Sequence, residues 1–141
     1  MKKVAIIYWS EYGKVELLAN SIANGAKNAG AEVILKRVQE AKVEDVVSSD
    51  AVAFGSPSMD NNNVEQLEMA PFLKEFKLLP NGNKPAVLFG SYGWDNGEFM
   101  NKFKTLVTDY GFNVINTLEV RETPNEDQLK EAEKLGSILA K

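Results

Sequence analysis

Three short apolar runs in this chain show no polar–apolar alternation: Val4-Ala5-Ile6-Ile7-Tyr8, Ala51-Val52-Ala53-Phe54-Gly55 and Pro85-Ala86-Val87-Leu88-Phe89-Gly90. A strand with one wet face alternates, whereas a strand covered on both faces reads as a continuous apolar run. Helical spacing fills the intervals. Residues 16–28 carry Leu17, Leu18, Ile22 and Ala26, with Gly30 as a stop. Residues 99–110 carry Phe99, Phe103, Leu106 and Val107, closed by Gly111. Residues 125–140 place Leu129, Ala132, Leu135, Ile138 and Leu139 on one side, with Asn125 or Thr123 as the cap.

Two further strands are expected, at 32–36 and at 112–120, the latter interrupted near Asn116. The polar stretch 38–49 holds a short helix. Residues 66–76 form another, complicated by Pro71, and Asn81-Gly82-Asn83 reads as a turn. The order β-α-β-(α)-β-α-β-α-β-α specifies an α/β domain with a parallel sheet and helices on both faces. No repeat or Pro/Ser linker divides residues 1–141, so one domain is expected.

The composition removes many chemistries. The chain of 141 residues has no Cys and no His. Thiolate metal sites, Cys nucleophiles, His triads and His ligands are therefore excluded. What remains is carboxylates, Lys, Arg, Tyr, hydroxyls or a borrowed cofactor. Lys and Arg number 16 against 20 Asp and Glu, a net charge of -4, which argues against nucleic acid as a partner. No apolar run approaches the ~20 residues of a membrane span, and the apolar stretch that ends at Tyr8 is too short for a signal peptide. A cytoplasmic protein with no membrane partner is expected.

Ligands of open α/β sheets bind beyond the carboxyl ends of the strands. That singles out the loops at 10–16, 56–63 and 91–97. The third, Ser91-Tyr92-Gly93-Trp94-Asp95, sets two aromatics among glycines, an arrangement suited to a planar aromatic ligand. The second, Ser56-Pro57-Ser58-Met59-Asp60-Asn61-Asn62, holds one large apolar side chain, Met59, whose thioether packs well on aromatic faces. A flat ring then fits between Met59 and Trp94. The first, Ser10-Glu11-Tyr12-Gly13-Lys14-Val15, precedes a helix start, where anions are favoured. Ser10, Gly13 and Lys14 suit a phosphate; Glu11 and Glu16 do not, and on this loop alone a plain strand-to-helix turn is the favoured reading.

The chain resembles the flavodoxins, small FMN electron carriers, and most closely their short-chain members from anaerobic bacteria. The resemblance spans nearly the whole chain. It rests on Val4-Ala5-Ile6-Ile7-Tyr8-Trp9-Ser10, on Met59 ahead of Pro71-Phe72, and above all on Leu88-Phe89-Gly90-Ser91-Tyr92-Gly93-Trp94. It implies a doubly wound five-stranded sheet of order 2-1-3-4-5 and one non-covalent FMN. The family's phosphate loop resembles Thr/Ser-x-Thr-Gly-Asn-Thr, and here only Ser10 and Gly13 match, with Tyr12, Lys14 and Val15 at departing positions. Losing two hydroxyl donors costs about 1–3 kcal/mol, and a charge-assisted bond from Lys14 returns about 1.5–3 kcal/mol. Short-chain relatives carry Gly after the Met, in a peptide that turns toward flavin N5 on reduction. Here the residue is Asp60, for which a left-handed turn is more costly. Asn62 stands where relatives use Glu toward the ring's N3–H. Ser56, Pro57, Ser58, Asn61, Ser91, Tyr92, Gly93 and Asp95 complete the implied cofactor site.

The resemblance also implies low-potential electron transfer. The carboxylates of Asp60, Asp95 and Glu98, with Glu65 and Glu68 near in sequence, would oppose added negative charge and form an acidic rim for docking redox proteins. The alternative is a flavodoxin-like binding or regulatory module with weak or no FMN. A flavin reductase would need a second nucleotide site, which the sequence does not supply. A phosphoacceptor receiver needs acids at the end of strand three, where Phe54-Gly55-Ser56-Pro57 has none. If Trp94 stacks on the flavin, Trp94→Ala weakens FMN binding about ten- to hundredfold, on the ~1–3 kcal/mol scale of base–aromatic stacking. Titration of apoprotein by flavin fluorescence checks this, and unchanged affinity with unquenched emission would remove Trp94 from the site.

Overall fold

The computed structural model describes residues 2–11, 13–59, 62–79, 83–93 and 97–141. Five parallel strands, β1 (Lys3–Tyr8), β2 (Glu32–Arg37), β3 (Ala51–Pro57), β4 (Pro85–Tyr92) and β5 (Asn113–Arg121), form one sheet of order β2-β1-β3-β4-β5. Helices α1 (Lys14–Asn28), α2 (Val43–Val47), α3 (Met69–Lys74), α4 (Glu98–Asp109) and α5 (Glu126–Leu139) connect and follow the strands. The alternating β/α order of the sequence is reproduced. So is the break in β5: Ala86 pairs with Val114 and Val87 with Asn116, leaving Ile115 as the extra residue of a bulge.

The apolar runs are covered on both faces because successive side chains point oppositely. Val4, Ile6, Ala51, Ala53, Val87 and Phe89 pack against α1 and α5. Ala5, Ile7, Val52, Phe54, Ala86 and Leu88 join the opposite core, with side chains from α2, α3 and α4. There Phe54, Phe72, Phe76 and Phe112 pack ring on ring, with Phe54 and Phe112 edge-to-face at 5.3 Å.

Local signals explain most boundaries. After α1, the N–H of Gly30 reaches Lys27 O and that of Ala31 reaches Ala26 O, closing the helix with Gly30 at φ 93°. Asn125 accepts from Gln128 N–H while Gln128 accepts from Asn125 N–H, a reciprocal cap at the start of α5. Pro71 falls in the first turn of α3, where its missing N–H is harmless. The Glu65 carboxylate supplies that helix with a cap, accepting from Leu67, Glu68 and Met69 N–H at 2.8–2.9 Å.

Four expectations need correction. β3 continues through Ser56 and Pro57, and β4 through Ser91 and Tyr92, because ladder pairing persists after the apolar run ends, with Pro57 opposite Ser91 and Tyr92 opposite Arg121. Leu17 and Ile138 were expected on buried helix stripes, yet both are exposed. In each case the next residue, Leu18 or Leu139, occupies the buried position instead.

Helices α1 and α5 approach most closely at Gly25 and Gly136. A Cβ on Gly136 would lie 2.0 Å from Ile22 O, and one on Gly25 would lie 1.9 Å from Glu133 O. Alanine normally improves a helix by ~1 kcal/mol over glycine. Here the obstacle is backbone, which cannot rotate away, so overpacking at roughly 1–3 kcal/mol or more decides the sign. Gly136→Ala is expected to lower stability in urea unfolding by about 2 kcal/mol. Asn20→Ala, on the exposed face of α1, should stay within about 0.5 kcal/mol of the parent. A stabilised Gly136→Ala would refute the close contact.

Candidate functional site

Strands β1, β3 and β4 are neighbours and parallel, so the segments leaving Tyr8, Pro57 and Tyr92 emerge at one edge. The order reverses there: the chain passes outward from β1 to β2, then returns to β3 on the other side. A crevice forms at such a point. Between these segments lies a cavity of about 260 Å³. Ser10, Glu11, Lys14 and Val15 line it from the first segment, Pro57, Ser58 and Met59 from the second, and Ser91, Tyr92 and Gly93 from the third. Glu122, just past β5, completes the lining.

Most of the sequence-derived site residues are thus brought together. Three described ones do not line the cavity. Ser56 is fully buried in β3, where its hydroxyl accepts from Glu65 N–H at 2.9 Å. Gly13 lies behind the lining, at the start of α1. Asn62 is turned toward Glu98 and Ser58: its amide donates to Glu98 Oε2 at 3.1 Å, and Ser58 Oγ approaches its Oδ1 at 3.4 Å. Tyr12, Asp60, Asn61, Trp94 and Asp95 lie outside the described residues. A larger open groove of about 970 Å³ runs between α3 and α4, lined by helix side chains such as Pro71, Lys74, Phe103 and Leu106. Apart from Glu98 it touches none of the residues considered for this site.

The first segment is built for an anion. Gly13 caps α1 at φ 85°, a left-handed conformation that favours glycine. Its N–H donates to Ser10 Oγ at 3.1 Å, which fixes the hydroxyl beside the helix start and leaves the Ser10 proton to donate elsewhere. Leu17 N–H reaches Gly13 O, so the helix's own ladder does not use the N–H groups of Lys14, Val15 and Glu16. These amides, the helix dipole and the Lys14 ammonium all favour negative charge.

The carboxylates near this turn behave unequally. Glu16, expected to oppose an anion, points elsewhere. It accepts from the Tyr8 hydroxyl at 2.7 Å and pairs with Arg37 at 3.1 Å. Burial, followed by the Glu16 contact, pushes the Tyr8 phenol up to about 12, so Tyr8 remains a neutral donor. Glu11 faces the cavity. Glu122 does too, and its Oε2 pairs with Lys14 Nζ at 3.2 Å. Glu122 is not among the residues expected from the sequence, because it follows strand five rather than strand one, three or four. The expected neighbour relation of strands four and five was the signal that would have found it.

The second segment is ordered by backbone bonds. Ser58 N–H extends the ladder to Ser91 O at 2.8 Å, Met59 N–H reaches Asn63 O at 2.8 Å, and Asn62 N–H returns to Met59 O at 2.9 Å. Asn62 adopts the left-handed conformation at φ 58°. Met59 remains 37% exposed on the cavity wall, too open for core filling. The acidic cluster expected near the ring is thinned. Glu65 is 3% exposed and spent on α3, and Glu68 accepts from the Trp9 indole at 2.8 Å and Gln39 at 3.1 Å.

Comparison with known proteins places this geometry. The family model for flavodoxin matches residues 6–136. A flavodoxin from Megasphaera elsdenii is 39% identical over 138 residues, covering 98% of each chain. One from Clostridium beijerinckii is 34% identical over 122 residues, 86% of this chain and 88% of that one. The solution structure of two-electron reduced Megasphaera elsdenii flavodoxin superposes with a TM-score of 0.83, at 36% identity, over 96% of this chain and 98% of that one. These likenesses run from end to end and do not favour a mere binding or regulatory module. The chain belongs to the flavodoxin family, the FMN-binding electron-transfer proteins.

Proposed function

We propose that this chain is a low-potential electron carrier of the cell interior, holding one non-covalent FMN in the crevice between β1, β3 and β4 and passing electrons between redox proteins. The observation that supports this best is the donor set at the start of α1: Ser10 Oγ–H, the first-turn amides and Lys14 converge on one side of a cavity. That set fits a phosphate. Apolar and aromatic surface from Met59 and Tyr92 lines the same cavity, which suits a flat ring, and Trp94 follows Gly93 directly in the chain.

FMN supplies the redox chemistry when bound, and the chain's residues tune it. Ser10, Lys14 and the amides of α1 hold the phosphate. Met59, on the cavity wall, would cover one face of the ring and exclude water, and Trp94, next after Gly93 in the sequence, is the candidate for the other face. The Ser58 and Ser91 backbones, bonded to each other, keep the second and third segments at fixed spacing. Asp60 and Asp95 belong to the second and third loops of the sequence, and negative charge beside a bound ring would disfavour further charge and lower the potential; Glu98 pairs with Lys102 at 3.3 Å and lines the neighbouring groove. With Glu65 withdrawn into the α3 cap, the acids that the cavity wall offers to partners are, among the described residues, Glu11 and Glu122.

The purified protein should be yellow, with a flavin absorbance spectrum, and the apoprotein should take up one equivalent of FMN. A colourless protein that binds no FMN would defeat the proposal. Lys14→Ala should weaken FMN about five- to thirtyfold, taking ~1–2 kcal/mol for a charge-assisted bond discounted for its exposed position. Riboflavin, which lacks the phosphate, should be almost unaffected. Equal loss for both ligands, or loss for neither, would show Lys14 to be a solvated helix residue.

A further inference from the structure

Lys14 already has a partner. Its ammonium is 3.2 Å from Glu122 Oε2, 108 residues away, and both residues line the cavity. Glu122 is not an ordinary rim acid. It sits at φ 63°, a left-handed conformation uncommon for a glutamate, and its N–H donates to Tyr92 O at 2.9 Å. The carboxylate also hangs over Gly93, where a Cβ would meet Glu122 Oε1 at 3.3 Å. The turn after β5 therefore holds a negative charge against the cation that an incoming phosphate needs.

We infer that Glu122 is a specificity-determining residue that competes with the phosphate for Lys14, and so limits how far this protein prefers FMN over unphosphorylated flavin. The inference rests on the reading that the phosphate lies at the start of α1. Glu16 cannot play this part, because Tyr8 and Arg37 hold it elsewhere. Glu11 lines the same end, but no ion pair joins it to Lys14 among the described residues. The Lys14–Glu122 pair is partly open, with side chains 36% and 63% exposed. A surface pair of this kind is weak. It yields to a doubly charged phosphate, which must first displace the carboxylate from Lys14, and that displacement is the cost Glu122 adds.

The test is titration of apoprotein with FMN and with riboflavin, followed by flavin fluorescence, for parent, Glu122→Gln, Glu122→Gly, Lys14→Ala and the Lys14→Ala/Glu122→Gln double variant. Glu122→Gln keeps the side chain's shape and removes its charge. It should tighten FMN about three- to tenfold in low salt, with the gain shrinking as salt rises. Riboflavin affinity should change less than twofold. Glu122→Gly relaxes the left-handed backbone as well, and should give the same gain for FMN. In the Lys14→Ala background the gain from Glu122→Gln should fall below twofold, since no cation remains to be contested. The inference is overturned if Glu122→Gln weakens FMN or leaves it unchanged, if riboflavin tightens equally, or if the gain survives without Lys14. Should Lys14→Ala alone fail to separate FMN from riboflavin, the placement of the phosphate falls, and this inference with it. A Lys14 effect without a Glu122 effect overturns only the inference.

Discussion

Everything in this molecule follows from three adjacent strands that are apolar on both faces. Val4 to Ile7, Ala51 to Phe54 and Ala86 to Phe89 are all fully buried. A strand in that condition cannot meet water along either face, so it requires a helical layer on each side. With both faces sealed, polar chemistry is restricted to the ends of the strands. Right-handed crossovers bring the chain from the far side each time, so the strands all finish at the same edge. The site is where it is because every other surface of β1, β3 and β4 is occupied.

The precision of that edge depends on the layer beneath. α1 supplies the turn that carries Ser10, Gly13 and Lys14 to the cavity, and its position is fixed from two directions. Gly30 closes the helix so that β2 can begin at Glu32, while Gly25 and Gly136 let α5 sit almost backbone to backbone against it. A bulkier contact would push α1 outward and carry Ser10, Gly13 and Lys14 away from Ser58 and Tyr92. The glycines lie far along α1 from the turn itself, yet they hold the donors in place. Site geometry and helix packing are thus one problem in this fold, and the sequence solves it with the smallest residue at the contact.

How much of this was legible beforehand varies with the range of the interaction. Local and repetitive signals were readable: the unalternated runs, the helical stripes, Gly30, Gly111, the Asn125 cap and even the break near Asn116. They are decided within a few residues. Strand ends were not, because Ser56-Pro57 and Ser91-Tyr92 are held by ladder pairing, Pro57 with Ser91 and Tyr92 with Arg121, rather than by their own apolar character. The burial of Leu17 and Ile138 was overestimated because a stripe one residue wide cannot choose between neighbours; packing against α5 and the sheet chooses. Most of the described residues named in the three loops line one cavity. Glu122 was not legible because its role comes from a partner 108 positions away.

The hardest quantity to read from sequence is local charge. Counted along the chain, the site seems crowded with acid. In three dimensions each carboxylate has its own allegiance. Glu65 serves the backbone of α3, Glu68 holds Trp9 and Gln39, and Glu16 joins Tyr8 and Arg37. Each of these is satisfied by donors that leave little of its charge for the ligand. Glu11 and Glu122 remain on the cavity wall, with Lys14 between the helix start and Glu122. Among the described residues, the charges on the cavity wall are one cation and two acids, a balance that the chain's net charge of -4 does not reveal. At this turn the chain carries a lysine, whose full charge is attracted by a carboxylate more strongly and over a longer range than a neutral donor is. A charged donor makes the field at this turn dependent on every ionised group that can reach it, which ties the start of α1 to the turn after the last strand.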